Sequence, residues 1–124
     1  MIGKIFWSVF PFYDAKNSRN AFKKRPVLVI SGPRNNDYTV LPISSVTKKQ
    51  NLDSDYDFEL DIKKYPLLNL TKNCYLRTHK QTIVHAASLT SMICDFKSAY
   101  PDLYTEVITL FERFEKTVVD AAIK

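Results

Sequence analysis

The sequence predicts a small β-rich domain that ends in one long helix, and three observations lead there. Residues 3–10 alternate Ile5, Trp7 and Val9 with Lys4, Phe6, Ser8 and Phe10, an aromatic and β-branched run at the two-residue period of a strand. Residues 25–31, RPVLVIS, form a continuous apolar run too short for a helix and rich in Val and Ile, as a buried central strand requires. From Pro101 the apolar period changes to three and four, through Leu103, Val107, Leu110, Phe111, Phe114 and Val118.

The remaining elements follow in order. Pro11 is expected to halt the first strand, and residues 14–24, polar and basic without a period, read as a long loop. Pro26 stands at the permissive end of the 25–31 strand. The turn residues SGPRNND lead into a further strand over 38–44, expected to be its antiparallel neighbour. Residues 53–62 set Asp53, Asp55, Asp57, Glu59 and Asp61 against Tyr56, Phe58, Leu60 and Ile62, which predicts one extended strand with a solvated acidic face. Carboxylates two apart along a strand fan out and do not converge on one ion, so no metal is expected. Short strands are expected over 73–78 and 82–85, a short helix over 88–93, and the long helix after Pro101, whose fixed φ suits a first helical turn.

The chain has 124 residues, enough for one core, so residues 1–124 read as a single domain. Its apolar runs are far shorter than the roughly 18 residues of a membrane span, and MIGKIFWSVF resembles no leader, so no membrane partner is expected. Cys74 and Cys94 lack CxxC spacing, and reduced thiols in the cytoplasm are the reading. Charge is distributed unevenly. Residues 1–50 hold nine Lys or Arg and two acids, a net of +7, whereas residues 51–124 carry −2. Clustered cations gain free energy on meeting phosphates by releasing counterions, so a polyanionic partner is one reading and a solvated basic face the other.

With two glycines the chain has no room for a glycine-rich phosphate loop, and it holds no GxSxG or HExxH pattern. What remains is phosphate-handling chemistry. Arg25 heads the buried strand beside Lys23 and Lys24, Ser44 and Ser45 end the next strand, and Arg77, Thr78, His79, Lys80, Gln81 and Thr82 form a polar segment. A guanidinium clamps a phosphodiester through paired hydrogen bonds, and a hydroxyl positions a phosphate oxygen. Lys16 and Arg19 in the 14–24 segment extend the basic surface. Trp7 is able to stack on a base, but its place in the alternating apolar row favours core packing.

The order GKIFWSVFP, KRPVLVIS, YTVLPISS and YLRTHKQTIVHAASLT resembles the MazF/PemK family of toxin ribonucleases over almost the whole chain. The resemblance implies a Src-homology-3-like small barrel of antiparallel strands with a C-terminal helix, and a homodimer. It also implies cofactor-free cleavage of single-stranded RNA without metal, and inhibition by a cognate antitoxin. Arg25 matches the arginine of the family's RP motif, held to be catalytic, and Ser44 the hydroxyl position where many members have threonine. Asn20 stands where the family commonly has a carboxylate.

The implied reaction is attack of an RNA 2′-hydroxyl on the adjacent phosphorus, giving a 2′,3′-cyclic phosphate and a 5′-hydroxyl. An arginine stays protonated at any accessible pH, so Arg25 is cast as an electrostatic stabiliser, and proton transfer is left open between Arg25 and His79. The predicted catalytic set is Arg25, Ser44 and His79. The predicted RNA-binding set is Lys16, Arg19, Lys23, Lys24, Ser45, Arg77, Lys80 and Gln81. The competing reading is a binding barrel without turnover, including a gyrase poison like the CcdB toxins. Those use a C-terminal tryptophan, and Trp7 is the single tryptophan here.

Overall fold

Aromatic and β-branched residues on both sides of a polar tip build a long hairpin, on which the rest of the sheet assembles. In the computed structural model, which describes residues 1–45 and 48–124 and Phe12 by its backbone, β1 (Ile5–Asp14) and β2 (Arg19–Arg34) pair antiparallel. The ladder runs unbroken from Ile5 opposite Leu28 to Asp14 opposite Arg19. The expected loop over 14–24 is therefore a tight tip followed by six residues of strand. The Asp14 carboxylate closes the tip, accepting from the Lys16 and Asn17 amides at 3.1 and 3.3 Å and from Asn17 Nδ2 at 2.7 Å. The Asn17 side-chain bond, against some desolvation, holds the Asp14 carboxyl below its ordinary value, and the two amides add to the shift. Pro11 does not end the first strand either. It sits opposite Phe22 in a stretch where β1 pairs with β2 alone, and a strand with a free edge tolerates a missing N–H.

β2 continues through Gly32 into a turn and β3 (Asp37–Ser44), its antiparallel neighbour as expected. Gly32 has φ +116°, and a Cβ there would lie 2.8 Å from the Asp37 carbonyl oxygen, so only glycine fits. β4 (Asp57–Leu60), β5 (Cys74–Arg77), β6 (Thr82–His85) and β7 (Leu89–Cys94) complete the sheet. The order is β4-β5-β3-β2-β1-β7, with β6 also on β3, and the path is left open because β4 and β7 do not pair among the described residues. The architecture is thus a mostly antiparallel sheet with a C-terminal helix.

Two expectations are corrected here. Of residues 53–62 only Asp57–Leu60 form strand: the Asp53 carboxylate accepts from the Asp55 and Tyr56 amides at 2.9 and 3.1 Å and makes a turn before it. Where a helix was expected over 88–93, Leu89–Cys94 is strand, because a 3-10 turn at Ala86–Ser88 delivers it to the open edge of β1, where Ser8 faces Leu89.

Each face of the sheet buries its own apolar set. On one, Ile5, Leu28, Leu41, Ile43 and Leu76 pack with Phe96, Leu103 and Val107. Phe96 belongs to α1 (Phe96–Ala99), capped by the Asp95 side chain, and Leu103 and Val107 lie one turn apart on α2 (Pro101–Ile123). The helix therefore covers this face as its period predicts. On the other face Val27, Val29, Tyr38, Val40 and Val84 pack with Phe6, Phe10 and Leu89. The fully apolar run VLV is explained by its place in the middle of the sheet, with both faces covered. Truncating a buried leucine such as Leu76 to alanine costs about 2–5 kcal/mol in a core of this kind.

Candidate active site

β2 and β3 part at one end of the sheet while β1 and β2 stay paired, and a cleft opens there. The last β2–β3 pair is Val27 opposite Pro42. Two residues further along each strand stand Arg25 and Ser44, so both predicted residues flank the point where the strands part. Arg25 faces Ser8 on β1, and Ser44 faces Tyr75 on β5. The cleft measures about 630 Å³, and its walls include Trp7, Lys23, Lys24, Arg25, Ser44 and Ser45.

Its second wall, Asn69, Leu70, Thr71 and Lys72, was not singled out from the sequence. This segment follows a 3-10 turn at Pro66–Leu68 and is fastened at several points. Asn69 takes a left-handed φ of 58° and its Nδ2 donates to the Ile93 carbonyl at 3.2 Å. Asn73 Oδ1 accepts from the Ile62 amide at 2.9 Å, and the Leu67 amide donates to the Tyr100 hydroxyl at 2.9 Å. The only local sign of this wall in the sequence is the polar turn Asn69, Thr71, Lys72, Asn73 between apolar residues.

The charged residues of the cleft are all cations among the described residues. Lys23, Lys24, Arg25 and Lys72 line it, and no carboxylate or histidine does so among the described residues. The half-buried Arg25 guanidinium makes no hydrogen bond or ion pair with any described residue, which leaves its donors for a ligand. Burial raises the worth of such a charge because it works in a medium less polar than water. Trp7, expected in the core, is 37% exposed and forms part of the wall. It follows Ile5 on the same face of β1, but the helix does not reach that far.

The other predicted residues lie elsewhere. Lys16 and Arg19 sit at the exposed tip of the hairpin. Arg77 ends β5 some three residues, about 10 Å, beyond the cleft-lining Cys74. Its Nε donates to Asp57 Oδ1 at 3.0 Å, and its terminal nitrogen to the Asn51 carbonyl at 2.9 Å. His79 is closed in by Tyr56, by Phe114 of α2 and by carboxylates, with Nδ1 3.7 Å from Asp57 and Nε2 3.9 Å from Asp53. Its neighbours are thus anionic and aromatic, where the sequence put cations beside it. Lys80 and Gln81 lie exposed on the turn into β6. The structure brings together Lys23, Lys24, Arg25, Ser44 and Ser45, and sets Arg77, His79, Lys80 and Gln81 apart from them.

Among solved structures, the chain is similar to the Mycobacterium tuberculosis toxin MazF-mt6, with a TM-score of 0.54 and 18% identity. The match covers 88% of this chain and 96% of that one. This chain has the fold of a MazF toxin. No protein-family model matches it, and no curated protein does. At this identity the MazF likeness is one of fold.

Proposed function

We propose that this protein is a MazF-like toxin endoribonuclease that cuts single-stranded RNA without metal or cofactor and so inhibits translation and growth. The observation that carries the reading is the unpartnered Arg25 guanidinium sharing with Ser44 a cleft whose charged lining, among the described residues, is all cationic. A phosphodiester fits that chemistry: Lys23, Lys24 and Lys72 draw the strand in, Arg25 holds two phosphate oxygens, and Ser44 donates to one of them.

The RNA supplies its own nucleophile. The 2′-oxygen bonds to phosphorus as its proton leaves, the bond to the 5′-oxygen breaks, and that oxygen takes up a proton. The products are a 2′,3′-cyclic phosphate and a 5′-hydroxyl end. Negative charge grows on the phosphoryl oxygens in the transition state, and Arg25 meets it there, a role worth about 10²–10³ in rate for one well-placed donor. With no carboxylate or histidine lining the cleft among the described residues, water or a phosphate oxygen relays the protons.

Purified protein is expected to cut naked RNA in excess EDTA and to leave 5′-hydroxyl ends, and Arg25→Ala is expected to stop it. Intact RNA with folded wild-type protein refutes the reading. A cytoplasmic homodimer held in check by a cognate antitoxin belongs to the same proposal. The absence of a carboxylate or histidine from the cleft walls, among the described residues, favours one second reading, an RNA-binding protein without turnover. Salt-sensitive binding with no new 5′-hydroxyl ends identifies it.

A further inference from the structure

The β1–β2 ribbon projects past the sheet, and one of its faces is unusual. No strand pairs with β1 beyond Ser8, nor with β2 before Val27, other than these two with each other, among the described residues. Strand alternation and the unbroken register put Trp7 and Pro26, Val9 and Lys24, Pro11 and Phe22, then Tyr13 and Asn20 on one face, in that order toward the tip. This face begins in the cleft, at Trp7, Lys24 and Pro26. Phe22 is 73% exposed and Tyr13 63% exposed. Folding gains nothing from aromatic rings held in water, so their cost points to an occupant.

We infer that this face is a stacking track for single-stranded RNA that extends the cleft by several nucleotides, with Trp7, Phe22 and Tyr13 as its platforms. The inference rests on the nuclease reading and deepens it by naming how the flanking substrate is held. Geometry suits it. Rungs two residues apart are about 7 Å apart along a strand. Stacked bases are about 3.4 Å apart, so a base, a ring and a second base in a pile need twice that, one such step. Phe22 and Tyr13 stand on adjacent rungs of this face, one such step apart, and Trp7 stands two steps from Phe22 with Val9 and Lys24 between, a spacing for bases splayed apart with side chains between them, the mode by which unpaired strands are held. Charge selects the same occupant. Lys24 lies on this face between Trp7 and Phe22, Lys16 stands at the tip, and Lys23 and Arg19 project from the opposite face of the same ribbon, whose one acid, Asp14, is taken up by the amides of its own tip. A second copy would bring two cationic ribbons together.

Trp7, the only tryptophan, reports on occupancy by its fluorescence. Wild-type protein and the variants Phe22→Ala and Tyr13→Ala are titrated with non-cleavable 2′-O-methyl oligonucleotides of three and eight nucleotides over a range of salt. Each variant is expected to bind the eight-mer about tenfold more weakly, to bind the three-mer as wild type does, and to keep the wild-type salt slope. Phe22→Trp is expected to restore eight-mer binding. Both rings lie outside the two apolar clusters, and an unchanged urea midpoint verifies that the variants fold.

Eight-mer binding by both variants equal to wild type overturns the inference, as does a loss that comes with a flatter salt slope, which marks charge rather than stacking. If Phe22→Ala instead turns a wild-type dimer into a monomer and leaves eight-mer binding intact, the face is an interface between copies and the inference falls. Wild-type protein that binds neither oligonucleotide and leaves RNA intact brings down the nuclease reading itself. Wild-type cleavage with variants that bind normally brings down only the track.

Discussion

Arg77 Nε lies 3.0 Å from Asp57 Oδ1, and the Asp57 side chain is fully buried. The second Asp57 oxygen accepts from the Asp53 amide at 2.8 Å and from the Arg77 terminal nitrogen at 3.3 Å. The pair ties the start of β4 to the end of β5, where the two residues face each other. Removing the guanidinium strands a buried carboxylate, so Arg77→Ala is expected to destabilise the fold by about 3 kcal/mol. The measurement is a urea midpoint at unchanged slope. RNA cleavage per folded molecule is expected to stay within twofold of wild type, and a large loss at full folding would return Arg77 to the site.

At Arg25 the shape of the side chain matters as much as its charge. Arg25→Lys keeps the cation but loses the planar fork, so it is expected to recover less than a tenth of wild-type cleavage while binding RNA with the same salt slope. Ser44→Thr keeps the hydroxyl and is expected to stay active, whereas Ser44→Ala is expected to lose about tenfold in kcat. Equal activity of the two Ser44 variants would show that the hydroxyl takes no part.

How much of this was legible depended on whether the deciding contact was local. The period at Leu103 and Val107 and the apolar run of Val27, Leu28 and Val29 predict their elements because burial on one stripe or on two faces leaves a direct imprint. Ser44 was readable as a strand-end residue, whereas Arg25, read as the head of its strand, lies inside β2 because pairing with β1 carries the strand on to Arg19. The ribbon was not readable, since Lys23, Lys24 and Asn20 show no alternation and only pairing with β1 makes them strand. The 88–93 segment failed for the same reason, its conformation being set by the distant edge at Ser8. The acidic alternation from Asp53 to Asp61 misled because the same carboxylate serves as turn former at Asp53 and as buried partner at Asp57.

Ser8 presents a different kind of test. It is fully buried opposite Arg25, and its Oγ has no hydrogen-bond partner among the described residues. A buried hydroxyl without a partner costs about 1–3 kcal/mol of desolvation, so Ser8→Ala is expected to leave stability unchanged or raise it by about 1 kcal/mol. Thermal unfolding monitored by Trp7 fluorescence measures it. A fall in stability would mean that the hydroxyl has a partner, and a fall in cleavage alone would make Ser8 a positioning residue for Arg25.

The two thiols set an alkaline limit on stability. Burial pushes the Cys74 thiol from its ordinary 9.0 up to about 11, against a smaller opposing effect of Lys72. Burial does the same to Cys94, again to about 11, with Asp95 adding to it. Between pH 9 and about 11 the unfolded chain releases these protons and the folded chain keeps them, so the unfolded state binds fewer protons and stability falls as pH rises. Each thiol contributes a slope of up to about 1.4 kcal/mol per pH unit in that window and none well below it. Urea midpoints from pH 7 to 11 are expected to be flat up to about pH 8 as far as the thiols are concerned, then to drop, and Cys74→Ala/Cys94→Ala is expected to remove that part of the drop. Native protein is likewise expected to resist iodoacetamide at pH 8 and to take up two equivalents only in denaturant, because both sulfurs are buried and free. Labelling of the native protein at the rate of the unfolded chain would show that the Cys74 wall of the cleft opens in solution.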